Sequence, residues 1–293
     1  MTPADYDFLR RLVKERSGLV LSADKQYLVE SRLLPVALKA DLDGLPALVQ
    51  RLRFGRDESL AVEVVEAMAT NESFFFRDKL PFEHFRDTIM PALLAARAAE
   101  RRIRIWSAAA STGQEPYSLA VSLKEMGDAI AGWHIDLVAT DFSSQVLEKA
   151  KAGIFSQFEV QRGLPIALLI KYFDRVGDTW QINPDVRAMV QFRQFNLLHE
   201  FTYLGRFDLV FCRNVLIYFD HETKSGLLDR IARIMAPDGY LVLGAAETVV
   251  GLTGSFRPMP DHRGLYVPTS AATDGQASVT PFRPRLAVVS GAR

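Results

Sequence analysis

The chain has 293 residues, 48% of them hydrophobic, so it is long enough to bury a core and to divide into more than one domain. Its 35 Lys and Arg residues balance 35 Asp and Glu residues, which argues against a protein that binds nucleic acid through excess positive charge. Cys212 is the single cysteine, so the sequence excludes an internal disulfide and predicts no zinc site, as expected in a reducing cytoplasm.

The first residues predict neither export nor membrane insertion. They lack the basic and apolar regions of a signal peptide, and no apolar run in the chain approaches the roughly 20 residues that span a bilayer. We therefore expect a cytoplasmic protein without direct membrane insertion.

Residues 1–70 follow a helical pattern, in which apolar side chains recur at spacings of three and four residues. Thr2 followed by Pro3 predicts a helix N-cap with a proline in the first turn, and Gly18 predicts the end of that helix. Pro35 falls inside the second helical pattern and should kink or shorten it. We expect a small all-helical N-terminal domain.

Residues 71–100 predict a linker followed by a helix that is broken near Pro91. From residue 101 to residue 267, strand-like apolar runs alternate with amphipathic helices, which implies right-handed crossovers and a mostly parallel sheet covered on both faces. The predicted fold class is therefore α/β, of the doubly wound type. The predicted strands are residues 103–108, 135–140, 190–195, 207–212 and 240–244, and helices are predicted to begin near Glu115, Ser143 and His221.

Two further segments stand apart from this alternation. Apolar runs flank Gly177 and Asp178 within about residues 171–186, and a Gly-Asp pair between two such runs favours an antiparallel hairpin. Residues 268–293 are rich in Ser, Thr, Ala, Gly and Pro, so we predict a disordered tail there.

Motifs at strand ends carry the functional prediction, because ligands of open α/β sheets bind beyond the carboxyl ends of the strands. The first predicted strand runs into small residues, from Ser107 to Gly113, which allow a nucleotide to approach the backbone where a helix begins. An ordinary strand-to-helix turn would have the same pattern. The second strand ends at Asp141, whose two oxygens match a ribose diol, although Asp141 or Ser143 would serve equally well as a helix N-cap. These two signals, at the ends of the first and second predicted strands, together favour a nucleoside site.

Three motifs then resemble one known family. Residues 106–118 (WSAAASTGQEPYS), 211–219 (FCRNVLIYF) and 237–244 (PDGYLVLG) together resemble the CheR chemotaxis receptor methyltransferases, and the resemblance extends from about residue 5 to 267. It implies the S-adenosylmethionine-dependent methyltransferase fold, with a helical N-terminal domain and an inserted β-hairpin subdomain. It also implies S-adenosyl-L-methionine as cofactor, S-adenosyl-L-homocysteine as product, and methylation of glutamate side chains on the cytoplasmic domains of chemoreceptors for sensory adaptation.

Site residues follow from the resemblance, position by position. Residues 71–77 (NESFFFR) match the linker motif of the family, with Ser73 at a position where threonine is more usual and the hydroxyl is kept. Residues 71–100 should therefore contribute to the cofactor site. The residues implied to contact the cofactor are Asn71, Ser73, Arg77, Glu115, Asp141, Asn196, Leu197, Arg213 and Asn214. The residues implied to be catalytic are Arg77, Arg213 and Tyr218, and no metal is implied.

The residues alone leave simpler roles open: Arg77 as a surface ion-pair partner, Tyr218 as a core aromatic and Asn196 as a turn residue.

For catalysis, a glutamate carboxylate is already ionised at neutral pH, with a reference pKa near 4.3, so no general base is needed. Our hypothesis is that Arg213 and Tyr218 orient that carboxylate, with Arg77 assisting. These contacts should orient the carboxylate more than they neutralise its charge, because the negative charge of the carboxylate is greatest before the methyl group is transferred.

The resemblance also implies a partner. In the family, basic residues on the second helix face the receptor helices; this helix offers Lys25, Arg32 and Lys39, fewer than the best-known members carry. Some relatives grip a C-terminal receptor peptide through a glycine-rich hairpin loop. Here the corresponding turn is shorter and contains only Gly177, so we predict that the tether peptide is not bound. We expect a monomer.

Two other functions remain open on the sequence. The first is a methyltransferase that acts on RNA, DNA or a small molecule through the same cofactor domain. Nucleic-acid amino methyltransferases generally carry an Asn/Asp-Pro-Pro-aromatic signature near the fourth strand, where this chain has Cys212, Arg213, Asn214 and Val215. A noncatalytic regulator that binds the cofactor is disfavoured by the retention of Arg77, Arg213 and Tyr218.

Overall fold

The computed structural model describes residues 1–55 and 57–269, and it begins with a bundle of four helices. Thr2 caps the first helix in a reciprocal capping box with Asp5, and Gly18 ends that helix in the left-handed region at φ 78°, so both predicted boundaries are confirmed. The second helix continues past Pro35, which lies on its exposed side, so the expected shortening is absent. The helices are α1 (Pro3–Ser17), α2 (Gln26–Lys39), α3 (Leu45–Phe54) and α4 (Glu58–Met68).

A longer helical stretch follows the linker. It consists of α5 (Leu80–His84), one π turn (Phe85–Ile89) and α6 (Met90–Ala96). The backbone N–H of Met90 donates to the carbonyl of Phe85, five residues earlier. The sequence predicted a break near Pro91, but the chain instead widens by one residue just before the proline, which has no N–H to donate.

The remaining elements form the α/β part of the chain. In chain order they are β1 (Arg102–Ser107), α7 (Gln114–Glu125), β2 (His134–Asp141), α8 (Ser144–Ala152), β3 (Ile154–Ser156), α9 (Gln157–Gln161), α10 (Ile166–Tyr172), β4 (Phe173–Val176), β5 (Thr179–Ile182), α11 (Pro184–Arg187), β6 (Val190–Gln194), β7 (Phe207–Cys212), α12 (His221–Arg233), β8 (Met235–Leu243), β9 (Phe256–Pro258) and β10 (Leu265–Pro268).

Seven of these strands form one sheet in the order β6-β2-β1-β7-β8-β10-β9. The five strands from β6 to β8 are parallel, whereas β10 runs antiparallel to both β8 and β9. The strand order reverses between β1 and β7, which is where ligands of doubly wound sheets bind. The predicted fold class is confirmed, but the sequence did not predict β9 or β10.

The sheet separates two apolar cores. Val210 and Cys212 of β7 face the core shared with the N-terminal bundle and α12, while Leu209 and Phe211 face the core formed with α5, α6 and α7. Alternate strand residues point to opposite faces, so a run of apolar residues is what a sheet covered on both sides requires.

A small second sheet, in the order β3-β5-β4, is inserted between α8 and β6. The hairpin of β4 and β5 turns at Gly177 and Asp178 and confirms the prediction, although Lys171 and Tyr172 belong to α10. The third strand, β3, was not predicted. At the other end, Pro268 completes β10, and the rest of the predicted tail, residues 270–293, lies outside the described residues.

Candidate active site

The carboxyl ends of β1, β2 and β7 open into a cavity of about 860 Å³. All of the predicted site residues border this cavity: Asn71, Ser73, Arg77, Glu115, Asp141, Asn196, Leu197, Arg213, Asn214 and Tyr218. The structure thus brings the set together from the linker and from four strand ends, while the role of each residue stays a prediction.

The turn after β1 forms the backbone wall of the cavity. Ala108 and Ala109 border it, and Ser111 adopts a left-handed backbone at φ 48°. Gly113 lies at φ 97°, and a Cβ there would be 3.0 Å from the Cβ of Ala150. A larger residue would therefore push this turn away from α8 and distort the wall.

Asp141 is held in one orientation beside this turn. Its Oδ2 accepts a hydrogen bond from the backbone N–H of Ser111 at 2.9 Å, and its Oδ1 accepts one from Ser143 at 3.0 Å. Burial raises the pKa of this carboxyl. Each oxygen keeps a second acceptor site, which is what a ribose diol would require.

Glu115 and Arg213 also border the cavity, where they form a buried ion pair. Oε2 of Glu115 accepts from Nη1 of Arg213 at 3.0 Å, and its Oε1 accepts from the hydroxyl of Ser107 at 2.9 Å. Burial raises the pKa of Glu115, against the opposing effect of the guanidinium.

Arg213 also holds the linker. Its Nη2 donates to Oδ2 of Asp78 at 2.7 Å and to the carbonyl of Arg77 at 2.9 Å, and the residue is only 4% exposed. Asp78 was not predicted from the sequence, because 135 residues separate it from Arg213. With two carboxylates already bound, Arg213 is placed to organise the cavity wall more than to receive a further carboxylate.

Arg77 and Tyr218 are arranged differently. Arg77 is half-buried, donates to the carbonyl of Glu72 at 3.0 Å, and pairs with no carboxylate of residues 1–55 and 57–269. Its guanidinium lies 5.2 Å from the ring centroid of Phe74. Tyr218 is half-buried on a short helical turn, and its hydroxyl has no hydrogen-bond partner within the same described ranges. Both polar groups are therefore available to a ligand.

The N-terminal bundle supplies part of the wall, which the sequence did not predict. Ser17 and Leu19 border the cavity, and the side-chain amide of Asn196 donates to the carbonyl of Arg16 at 2.6 Å. Glu66 of α4 accepts a hydrogen bond from the backbone N–H of Ser144 at 2.8 Å, at the start of α8. The cavity is consequently shared between the two parts of the chain.

Two of the three basic residues expected to face a partner are paired within the molecule. Arg32 donates to the carbonyls of Met68 and Ala69 at 2.7 and 2.9 Å, at the end of α4. Lys39 pairs with Glu63 at 2.7 Å, and Lys25 lies just before α2 begins. The outer side of α2 instead exposes apolar side chains: Tyr27, Leu34 and Leu38 are 69%, 45% and 61% exposed.

Residues 1–55 and 57–269 contain no cluster of three or more His, Cys, Asp or Glu residues that could hold a metal ion. Their helices include none that combines the length and the apolar character needed to cross a bilayer.

The residues present fit a nucleoside cofactor: a fixed aspartate with free acceptor sites, a backbone wall of small residues, and a cavity at the point where the strand order reverses. Together with the sheet, this site defines the class of S-adenosylmethionine-dependent methyltransferases.

Comparison with known proteins narrows the class. The model for the CheR methyltransferase SAM-binding domain matches residues 71–265, and the model for the all-alpha domain of the same enzymes matches residues 4–69. The chain therefore belongs to the CheR methyltransferase family and is an enzyme whose cofactor is S-adenosyl-L-methionine.

Curated relatives agree. Chemotaxis protein methyltransferase 1 of Pseudomonas aeruginosa is 43% identical over 265 residues, covering 88% of this chain and 93% of its own length. Chemotaxis protein methyltransferase 1 of Vibrio cholerae is 39% identical over 264 residues, covering 89% and 95%. Among solved structures, the glycopeptide N-methyltransferase MtfA complexed with S-adenosyl-L-methionine has a TM-score of 0.34 and 17% identity, covering 69% of this chain and 71% of its own, an overlap too weak to carry an argument.

Proposed function

We propose that this enzyme methylates glutamate side chains on the cytoplasmic helices of chemoreceptors, in the cytoplasm and as a monomer, giving methyl esters for sensory adaptation. The observation that carries the proposal is the composition of the cavity lining: among the described residues, no histidine or lysine borders it to act as a general base. Glu115 and Asp141 border it but are already hydrogen-bonded, and Glu72 pairs with Arg162 at 2.8 Å. A nucleophile that arrives ionised, such as a glutamate carboxylate, needs no base.

Bound S-adenosylmethionine supplies an electrophilic methyl group, so the protein has to place the incoming carboxylate at the right distance and angle. Arg77 and Tyr218 are two polar groups at the cavity that remain available for this task. A half-exposed guanidinium attracts a carboxylate without the strong ground-state stabilisation of a buried pair, which would raise the barrier as the negative charge is neutralised. Arg213 contributes by fixing Glu115 and the linker.

The partner would dock on α2 through apolar contacts. Tyr27, Leu34 and Leu38 share one side of the helix at seven- and four-residue spacings. Arg32 ties this helix to Thr70, which borders the cavity, so a receptor helix lying along α2 would reach the site. Leu38→Glu should raise KM for a receptor fragment with kcat unchanged. The control Ile170→Glu, which changes a similarly exposed apolar side chain on α10, should change neither, and equal effects would contradict this docking.

We also propose independence from a receptor tether peptide. The hairpin turn between β4 and β5 consists of Gly177 and Asp178, since Val176 pairs directly with Thr179. Such a turn offers no glycine-rich loop to close over a peptide. A low-micromolar affinity for a C-terminal receptor peptide, measured by calorimetry, would contradict this part of the proposal.

The main proposal is tested by incubating the enzyme with methyl-labelled S-adenosylmethionine and purified receptor cytoplasmic fragments. We expect label that is released by mild alkali, because esters hydrolyse in base while methylated amines survive. Fragments in which the accepting glutamates are replaced by alanine are the control. Label that resists alkali, or none on any fragment, would contradict the proposal.

A further inference from the structure

A buried carboxylate lies directly behind the loop that carries Asn214 and Tyr218. Glu247, in the turn after β8, is 8% exposed. Its Oε2 accepts hydrogen bonds from the backbone N–H groups of Asn214 at 2.8 Å and Gly244 at 2.7 Å. Its Oε1 accepts from Val215 at 2.9 Å and Ile217 at 3.3 Å. One side chain thus binds four backbone N–H groups from two strand ends.

Only an ionised carboxylate suits this arrangement. Its two oxygens offer about four acceptor sites, whereas the amide of glutamine offers two and adds an NH₂ donor that would face backbone N–H groups. Buried N–H groups without partners are costly, and hydrogen bonds to a charged acceptor are stronger than neutral ones. The loop after β7 therefore depends on the charge at Glu247.

The backbone around Glu247 is adapted to this contact. Asn214 adopts a left-handed conformation at φ 57°, which asparagine tolerates better than most residues. A Cβ on Gly244 would lie 2.7 Å from Oε2 of Glu247 and 2.9 Å from the side-chain nitrogen of Asn214. Glycine at this position lets the carboxylate and the loop come together.

Glu247 does not itself border the cavity, whereas Arg213, Asn214 and Tyr218 do. We infer that Glu247 is a positioning residue: its carboxylate fixes residues 214–217 so that Asn214 and Tyr218 face the cofactor and the incoming substrate. This inference rests on the proposed function and deepens it, since it says how the catalytic loop is held.

The first test is Glu247→Gln. We expect kcat with receptor fragments to fall about 30-fold while KM for the fragment changes less than about threefold, because the reacting groups are misplaced but the docking surface is intact. The matched control is Asp229→Asn. Asp229 of α12 accepts a hydrogen bond from Ser255 at 2.8 Å and anchors the segment after Glu247 without touching the loop, so its loss should leave kcat unchanged. A Glu247→Gln enzyme with wild-type kcat would overturn the inference.

A double-mutant cycle separates positioning from general stability. Tyr218→Phe should reduce kcat about tenfold in the wild type but less than about threefold in Glu247→Gln, because a misplaced hydroxyl has little left to contribute. Fully additive losses would mean that Glu247 supports the fold without placing Tyr218. If Glu247→Gln fails to fold, Gly244→Ala is the second variant: it keeps the carboxylate, but the added methyl group displaces the carboxylate from Asn214. The same non-additivity with Tyr218→Phe is expected in the Gly244→Ala background.

Amide hydrogen exchange gives a readout that does not depend on methylation. The N–H groups of residues 214, 215, 217 and 244 should be protected in the wild type and in Asp229→Asn, and should exchange at least tenfold faster in Glu247→Gln. Unchanged protection in Glu247→Gln would overturn the inference, even if the wild-type enzyme methylates receptor fragments. Conversely, a wild type that methylates no receptor fragment but shows this protection pattern would refute the proposed function and leave the positioning role standing.

Discussion

Two arginines border the same cavity in opposite circumstances. Arg213 is buried, and its guanidinium binds Glu115, Asp78 and a linker carbonyl. Arg77 is half-exposed and pairs with no carboxylate in the described ranges. The same side chain thus organises a wall in one place and remains available to a ligand in the other. The role of each arginine therefore depends on whether its N–H donors are already bound to other groups of the protein, and not on the residue type.

The strongest test of this contrast is stability. Arg213→Met should destabilise the fold by about 3–5 kcal/mol, because it leaves the buried Glu115 carboxylate without its partner. Arg77→Met should cost less than about 0.5 kcal/mol, as expected for a half-exposed residue without an ion pair. Urea denaturation measures both, and equal losses would contradict the distinction. Adding Glu115→Gln to Arg213→Met should recover part of the loss.

Cofactor affinity should distinguish the buried carboxylate of Asp141 from the half-buried hydroxyl of Tyr218. Asp141→Asn should weaken binding of S-adenosylhomocysteine about 10- to 100-fold, equivalent to about 1.4–2.7 kcal/mol, because the amide replaces one acceptor oxygen with a donor. Tyr218→Phe should leave this affinity within about twofold of the wild type. Titration calorimetry would contradict the ribose role if both variants bound alike.

Turnover, unlike cofactor affinity, should depend on Arg77 and Tyr218. We expect Arg77→Met and Tyr218→Phe each to lower kcat about tenfold, or about 1.4 kcal/mol of barrier, because each removes a group that orients the carboxylate. Single-turnover rates with saturating S-adenosylmethionine isolate this step. Wild-type rates in both variants would assign the orienting role to another residue.

The smallest effect concerns pH. Burial raises the pKa of Asp141, and a ribose diol would bind its ionised form. Affinity for S-adenosylhomocysteine should therefore fall as the pH is lowered toward that raised pKa, starting at a higher pH than an exposed aspartate, with its reference pKa near 3.9, would give. In Asp141→Asn this part of the pH dependence should disappear. Calorimetry at a series of pH values from neutral downward would show it, and parallel curves for the two proteins would contradict it.

The sequence predicted the parallel strands because their apolar runs end in small or polar residues, as at Ser107 and Asp141. It missed β3, β9 and β10, which have three or four residues each and are too short to show a period. The π turn before Pro91 likewise has no sequence signature.

The same limit applies to the site. The predicted residues that border the cavity could be found because they lie in motifs that can be matched locally. Asp78 and Glu247 were not, since each acts through a contact with a residue far away in the chain: 135 residues to Arg213 and 33 to Asn214. Nothing in the neighbourhood of either residue predicts such a pairing. The internal use of Arg32 escaped prediction for the same reason.

Ser17 and Leu19 border the cavity although they belong to the helical bundle, and Arg16 accepts a hydrogen bond from Asn196 across the junction. In a chimera that joined the helices of one relative to the sheet of another, residues from both relatives would line the same cavity. Exchanging the two parts at the junction near residue 70 would therefore alter the lining of the cofactor cavity as well as the helical surface, even though the polypeptide looks divisible there.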